Sequence, residues 1–147
     1  MYGNDELNST ETMSFFADHT AIESRFETLW VDGSEARTPV AYENVDFKPK
    51  AEESFVRLTI IDGESRQASL EDSPLHRRIG IIVIQIFTRP GLGTQPAEAL
   101  ADYAAIIFRS VQFSGITCRS PEYRKIGEVE DWYQINVEVP FYVDEQF

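Results

Sequence analysis

The sequence contains one cysteine, Cys118, two histidines, His19 and His76, and only 13 lysines and arginines against 25 aspartates and glutamates. Each shortage removes a class of function. A single thiol can form neither an intrachain disulfide nor a thiolate zinc site, so Cys118 is expected as a small buried apolar side chain on a strand. The two histidines have no H-x-x-x-H or H-E-x-x-H spacing, and isolated histidines without placed carboxylates do not hold a metal. A net charge of −12 with scattered cations does not suit a protein that grips nucleic acid by its phosphates. Long apolar runs are missing too. The longest, Ile79 to Ile84 with Gly80 inside it, falls far short of the roughly 20 residues a bilayer requires. Met1 to Met13 is acidic and polar where a secretory signal would be basic and then apolar, so the chain is expected to remain in a cytoplasm.

What is present is ordinary globular composition, with 42% apolar, 26% charged and 12% aromatic residues in 147. That length supports one well-cored domain, read as residues 14–147, after a polar segment 1–13 that reads as a flexible arm. Phe15, Ile22, Phe26, Leu29 and Trp30 recur at helical spacing, with Ser14 or the capping box Thr20–Glu23 as the start and Asp32-Gly33-Ser34 as the stop. His19 falls on the same stripe and is expected as a packed residue. Pro39 to Phe47 reads as a first strand and Ser54 to Asp62 as a second, with Val56, Leu58 and Ile60 on one side and Phe55, Arg57 and Thr59 on the other. Gly63 to Arg77 reads as a long polar loop holding His76, well beyond the usual two to five residues between strands.

Arg78 to Arg89 carries the strongest strand signal. Both of its faces are apolar, which places it centrally in a sheet or leaves one face to another subunit. A second helix follows Thr94, with Leu100, Ala104, Ile107, Phe108 and Val111 buried and several alanines keeping it slim against a sheet. Two short strands, Gly115–Arg119 and Glu122–Val129, precede a long alternating one, Trp132–Val143. In that last strand Tyr133, Ile135, Val137, Val139, Phe141 and Val143 point inward, and Pro140 on the outward set suits an edge or a bulge. The order α-β-β-β-α-β-β-β predicts an α+β domain: a small, mostly antiparallel or mixed sheet with two amphipathic helices on one face.

Catalytic patterns are scarce. Arg89-Pro90-Gly91-Leu92-Gly93-Thr94 occupies the strand-to-helix position of a phosphate loop, but it lacks the Gly-Lys-Ser/Thr of the Walker pattern and the third glycine of the dinucleotide fingerprint. It reads as a tight connection with Thr94 as N-cap. No serine lies in a G-x-S-x-G elbow. The run Glu128-Val129-Glu130-Asp131 is a solvated turn or, alternatively, a divalent-cation site of a small metal-dependent hydrolase. No catalytic residue and no cofactor is assigned, and the chain is read as a non-enzyme.

The ordered pieces resemble a known family. Val40-Ala41-Tyr42-Glu43-Asn44-Val45-Asp46-Phe47-Lys48-Pro49, then Phe55-Val56-Arg57, Gly80 leading to Gln85-Ile86-Phe87, Pro90-Gly91-x-Gly93, an Ala-rich helix with Ala97 and Ala101-Asp102, and Trp132-Tyr133 opening the last strand are similar to bacteriophage tail-terminator proteins. The likeness spans roughly Phe15 to Phe147, and its specificity lies in order and spacing. It implies a virion protein of the head-proximal end of a tail, assembled in the host bacterial cytoplasm. It also implies a hexameric ring that ends tail-tube growth, contacts the tube protein and the head–tail connector, and lets DNA pass its lumen without specific binding. Another neck component, such as a tail-completion or head–tail joining protein, shares these features. A cellular ligand-binding domain would predict a closed apolar pocket instead.

A compact domain of this length has a radius of gyration of roughly 15 Å, so six in a ring surround a hole about one body wide, about 38 Å. Acidic walls there would repel passing DNA, and solubility is the other use of the charge. Head-to-tail neighbours need two different patches. The two-faced strand and the 63–77 loop are the candidates, with Arg77 and Arg78 expected to meet a neighbour's Glu71 or Asp72 or, alternatively, to pair within their own chain or be solvated.

Overall fold

The fold is organised around three long strands whose alternating side chains reach two different environments. The computed structural model describes residues 15–30, 38–50, 53–67 and 75–146. The expected N-terminal arm, the Asp32–Ser34 helix stop and the centre of the expected loop, including Glu71 and Asp72, lie outside the described residues. The elements run α1 (Phe15–Leu29), β1 (Val40–Tyr42), β2 (Phe55–Gln67), β3 (Leu75–Thr88), α2 (Gln95–Phe108), β4 (Gln112–Phe113), β5 (Ile116–Cys118), β6 (Glu122–Val129) and β7 (Trp132–Gln146). They form an α+β domain with one seven-stranded sheet in the order β1-β2-β3-β7-β5-β4, with β6 also paired to β7. The β1–β2 pair is parallel, and the other described pairs are antiparallel.

Register fixes which side chains share a face. Val56 lies beside Ile86 and Ile86 beside Ile135; the next rows are Leu58, Ile84, Val137 and Ile60, Ile82, Val139. These rows are buried in one core with Ile22, Phe26 and Trp30 of the first helical segment and Ala101, Ala104 and Phe108 of α2, so both helices cover the same face. Fully burying each such side chain stabilises the fold by about 1.5–3 kcal/mol. Alanines 97, 101, 104 and 105 are fully buried, which lets α2 lie close on the sheet. Cys118 is part of this core, and burial pushes its thiol up to about 11.

Several local expectations are corrected. The first helix starts at Phe15, so Thr20 lies within it and does not cap it. Its buried stripe is Asp18, Ile22 and Phe26 and continues to Trp30, an i, i+4 series; Phe15 and Leu29 are 59% and 44% exposed. Trp30 is held by an indole N–H donating to the Thr38 carbonyl at 2.9 Å. The first strand is only three residues long. Most of the expected 63–77 loop is strand: β2 runs on to Gln67 past an irregularity between Asp62 and Ser65, and β3 begins at Leu75, so His76 and Arg77 are strand residues. Polar composition hid this extension because a hairpin projecting beyond its core has no apolar alternation to display. Thr94 occupies the N-cap position of α2, but its side chain makes no capping bond. Gly91 and Gly93, both with φ near +80° to +90°, turn the chain into that helix.

Pro140 is not on an edge strand, since β7 pairs with β3 on one side and with β5 and β6 on the other. Its carbonyl accepts from Arg119 N–H at 2.8 Å. The N and O of a strand residue point to the same side, so the missing N–H faces the seam where the partner changes from β5 to β6. No bond to β3 is lost there. Gln134 points away from the helix side and is 8% exposed, donating to the Asn136 side chain at 2.8 Å.

Gly80 is where this packing is tightest. A Cβ there would lie 2.5 Å from the Phe141 ring and 2.9 Å from the Ile61 carbonyl oxygen, and the backbone oxygen cannot swing away. Gly80→Ala is expected to destabilise the domain by about 1–3 kcal/mol, read as a lowered thermal midpoint, whereas Gly93→Ala should act only through its positive φ because nothing lies within 4 Å of that Cβ. An unchanged midpoint for Gly80→Ala would show that Phe141 does not seat on the bare backbone.

Candidate functional site

Neither described helix lies over the second face of the sheet. At one end Phe47, Phe55, Phe87 and Trp132 form their own aromatic cluster, with Phe55 and Phe87 stacked at 4.5 Å and Trp132 edge-on to Phe55 at 5.0 Å. The Arg57 guanidinium lies over both phenylalanine rings, at 5.9 and 5.7 Å. Beyond this cluster, toward the far end of the same face, Ile61, Ile79 and Ile81 are 53%, 41% and 37% exposed. Ile61 and Ile81 are direct cross-strand neighbours, and Ile79 sits beside Tyr142. Three exposed β-branched side chains, two on the central strand β3 and one beside them on β2, form a small apolar patch of the kind that marks contact surfaces. The doubly apolar strand β3 is thus central in its sheet and uncovered on one face.

Charges frame the patch. Arg77 pairs across strands with Asp144 through two parallel bonds of 2.7 and 2.8 Å and lies 4.1 Å over the Tyr142 ring; Arg119 lies 5.0 Å over the same ring. Asp144 is held below the ordinary carboxylate range by its hydrogen bond from Arg77, with burial opposing that shift and the charge of Arg77 adding to it. Arg124 reaches Glu138 at 3.1 Å on this side as well.

The two candidate arginines therefore diverge. Arg77 faces the uncovered side and Arg78 the helix side, where it pairs with Asp18 of α1, a carboxylate only 3% exposed. The next residue of the helix, His19, meets Asp62 of β2 at 3.0 Å, and Phe15 stacks on the His19 ring at 4.1 Å. An arginine–carboxylate pair and a histidine–carboxylate hydrogen bond thus fasten the start of α1 to β2 and β3. The two arginines meet carboxylates of their own chain, and nothing described brings them to Glu71 or Asp72. Sequence reading missed Asp18, Asp62 and Asp144 as partners. Asp18 sits at i−4 from Ile22, a position whose burial only the helix stripe reveals, and Asp144 lies just past the last apolar residue of β7.

Elsewhere, the cleft of about 380 Å³ between α2 and β6 is lined by Glu98, Ala101, Asp102, Tyr123, Lys125 and Ile135. Its polar groups are engaged with one another: Tyr123 O–H donates to Asp102 at 3.2 Å and Lys125 lies 3.9 Å from Glu98. Glu128, Glu130 and Asp131 fall at the tight β6–β7 turn, and among the described residues no three His, Cys, Asp or Glu gather as metal donors. The glycine turn 90–94 is the β3–α2 connection. No described helix is long and apolar enough to cross a membrane.

Among the described residues, the second face of the sheet carries exposed apolar side chains of the kind that mark contact surfaces. A family model of phage tail terminator proteins matches residues 19–141, and the chain belongs to that family. Membership gives it a structural role in a bacteriophage tail, in contact with tail components. No curated protein matches. Twelve solved chains do. One of them, a protein known only by a serial designation, superposes with a TM-score of 0.61 at 18% identity over 88% of this chain and 96% of that one, a likeness of fold.

Two predictions concern the paired arginines. Arg78→Ala leaves the buried Asp18 carboxylate without its guanidinium and is expected to lower unfolding free energy by about 3 kcal/mol in denaturant titration, while Arg77→Ala produces a much smaller loss. Equal effects would remove the distinction. Asp144 has a folded pKa below its unfolded value, so its stabilisation is complete above the unfolded value and fades as pH falls through the folded one. The stability gap between wild type and Asp144→Asn should therefore be constant near neutrality and close in strong acid. A gap that is flat down to the acid limit would contradict the pairing.

Proposed function

We propose that this chain is a ring-forming subunit, six to a ring, that caps the head-proximal end of the tail tube, halts tube polymerisation and offers the surface to which the head connector joins. Family membership over residues 19–141 supports this reading, and the observation that carries it is the uncovered apolar stretch of Ile61, Ile79 and Ile81 on the central strands. A chain whose work is enclosed chemistry has no use for a cluster of bare isoleucines. One that must join neighbours does.

The net charge of −12 suits the same role. Duplex DNA bears about one negative charge per 1.7 Å, so an acidic passage does not retain it. Arg77 and Arg78 serve the ring indirectly in this reading, by holding the sheet end and α1 in place. The tube protein and the connector are the partners, and DNA passes without specific binding.

Loss of the gene from its phage should yield overlong tails in electron micrographs, and adding purified protein to polymerising tube protein should arrest growth. Normal-length tails left detached from heads would assign the chain to head joining instead.

A further inference from the structure

The isoleucine patch is compact. Ile61 and Ile81 are cross-strand neighbours, and Ile79 follows two residues away on β3, beside Tyr142. The guanidinium groups of Arg77 and Arg119 lie 4.1 and 5.0 Å from the centre of that same tyrosine ring. Arg77 is matched by Asp144, and the exposed Arg119 sets a cation next to the isoleucines.

A surface of inverse character lies on the helix side of the sheet, at the β6 margin. In the cleft of about 380 Å³ between α2 and β6, the small Ala101 and Ile135 make an apolar floor. Glu98 and Asp102, one helical turn apart and both exposed, form one rim, and Tyr123 and Lys125 form the other. The rim keeps a negative balance. The Tyr123 hydroxyl that donates to Asp102 is neutral and compensates no charge. Lys125 reaches Glu98 only at 3.9 Å, with both side chains at least half exposed, so two carboxylates face one ammonium. The outer side of α1 suits a contact less well: it is acidic, with Glu23 and Glu27 among Thr20 and Ser24, and Glu27 already accepts from the Tyr42 hydroxyl.

We infer that a second copy of this chain seats its Ile79 in the cleft between α2 and β6, with its Arg119 reaching Glu98 and Asp102 on the rim. Ile79 and Arg119 both adjoin Tyr142, and the two carboxylates flank Ala101 on one helix, so a single small contact engages the apolar and the charged parts together. The inference rests on the ring reading above and assigns its two patches. One is on the uncovered face at β2 and β3, the other on the helix side at β6, and a head-to-tail contact requires two such different surfaces. Opposite charges at the rim orient each arriving copy, since two like surfaces repel.

Paired cysteines test the contact in phage-borne protein: Ile79→Cys, Tyr123→Cys and both together. Native Cys118 lies in the core and takes no part. A bond within one chain is excluded, because Ile79 and Tyr123 pair with Tyr142 and Val137, well separated along β7 and on opposite faces of the sheet. Mild oxidation of assembled tails, read on a gel without reductant, should give a ladder of multiples of the 16.8 kDa chain from the double variant and none from either single variant. Ile79→Cys with Glu27→Cys, which moves the second thiol to α1, should give none either. Circular dichroism checks folding, and chemical cross-linking of the wild type counts the copies present. A ladder from a single variant or from the α1 pair, or no ladder from the folded double variant where several copies are present, overturns the surface assignment while leaving the ring intact. A wild-type chain found singly at the tube end overturns the ring itself.

Discussion

Everything in the domain depends on the register of β3 between β2 and β7. A strand that is apolar on both faces is not registered by burial alone, because a one-residue slip exchanges one apolar set for another. Here other contacts remove the degeneracy. Phe55 stacks on Phe87 at one end, Phe141 lies on bare Gly80 in the middle, and Arg77 clasps Asp144 at the other. Slipping β3 by one place would put a side chain under Phe141, separate the aromatic pair and turn Arg77 toward the helices. The sheet thereby distinguishes a face for α1 and α2 from a face for something else.

The helix side closes with charge. Asp62 stands in the row of Gly80 and Arg78 one row further on, where α1 begins, so the helix supplies Asp18 and His19 to meet them. Buried ion pairs add little net stability over an apolar equivalent, yet losing one partner is costly. The value of this arrangement is therefore positional. It sets where α1 starts on the sheet, which in turn sets where the acidic outer side of that helix lies.

Periodicity made the core legible. Ile22, Phe26, the even-numbered residues of β2 and β3 and the odd-numbered residues of β7 announce themselves by spacing, and alternation alone put Arg57 on the side away from Leu58. The extended β2–β3 hairpin was not legible, because residues beyond the core are polar on both sides and resemble a loop. Pro140 misled for a similar reason. Its compatibility with an inner strand depends on a partner change at β5 and β6 that no local pattern displays. The candidate surface was half visible: two apolar faces on β3 signalled a contact, whereas the cations flanking it are brought from β2 and the end of β5 only by the fold.

The margins of the sheet favour association through a face over association through an edge. β1 offers three residues and β4 two, too few for a neighbour's strand to gain much by pairing, and where β2 runs on past β1 its Ile60 N–H is taken by the Glu43 carboxylate and its register breaks between Asp62 and Ser65. β6 is longer, but its register shifts between Lys125 and Gly127 and it carries Glu122, Arg124, Lys125 and Glu128. Short, bulged and charged margins discourage strand-to-strand growth, which has no natural end. Contact through the broad face is bounded by the shape of two rigid surfaces, so its rotation per copy is fixed, and a fixed rotation can close. In the proposed role, a subunit that stops a polymer is served by that asymmetry, since the interaction it suppresses is the one that would let it become a polymer itself.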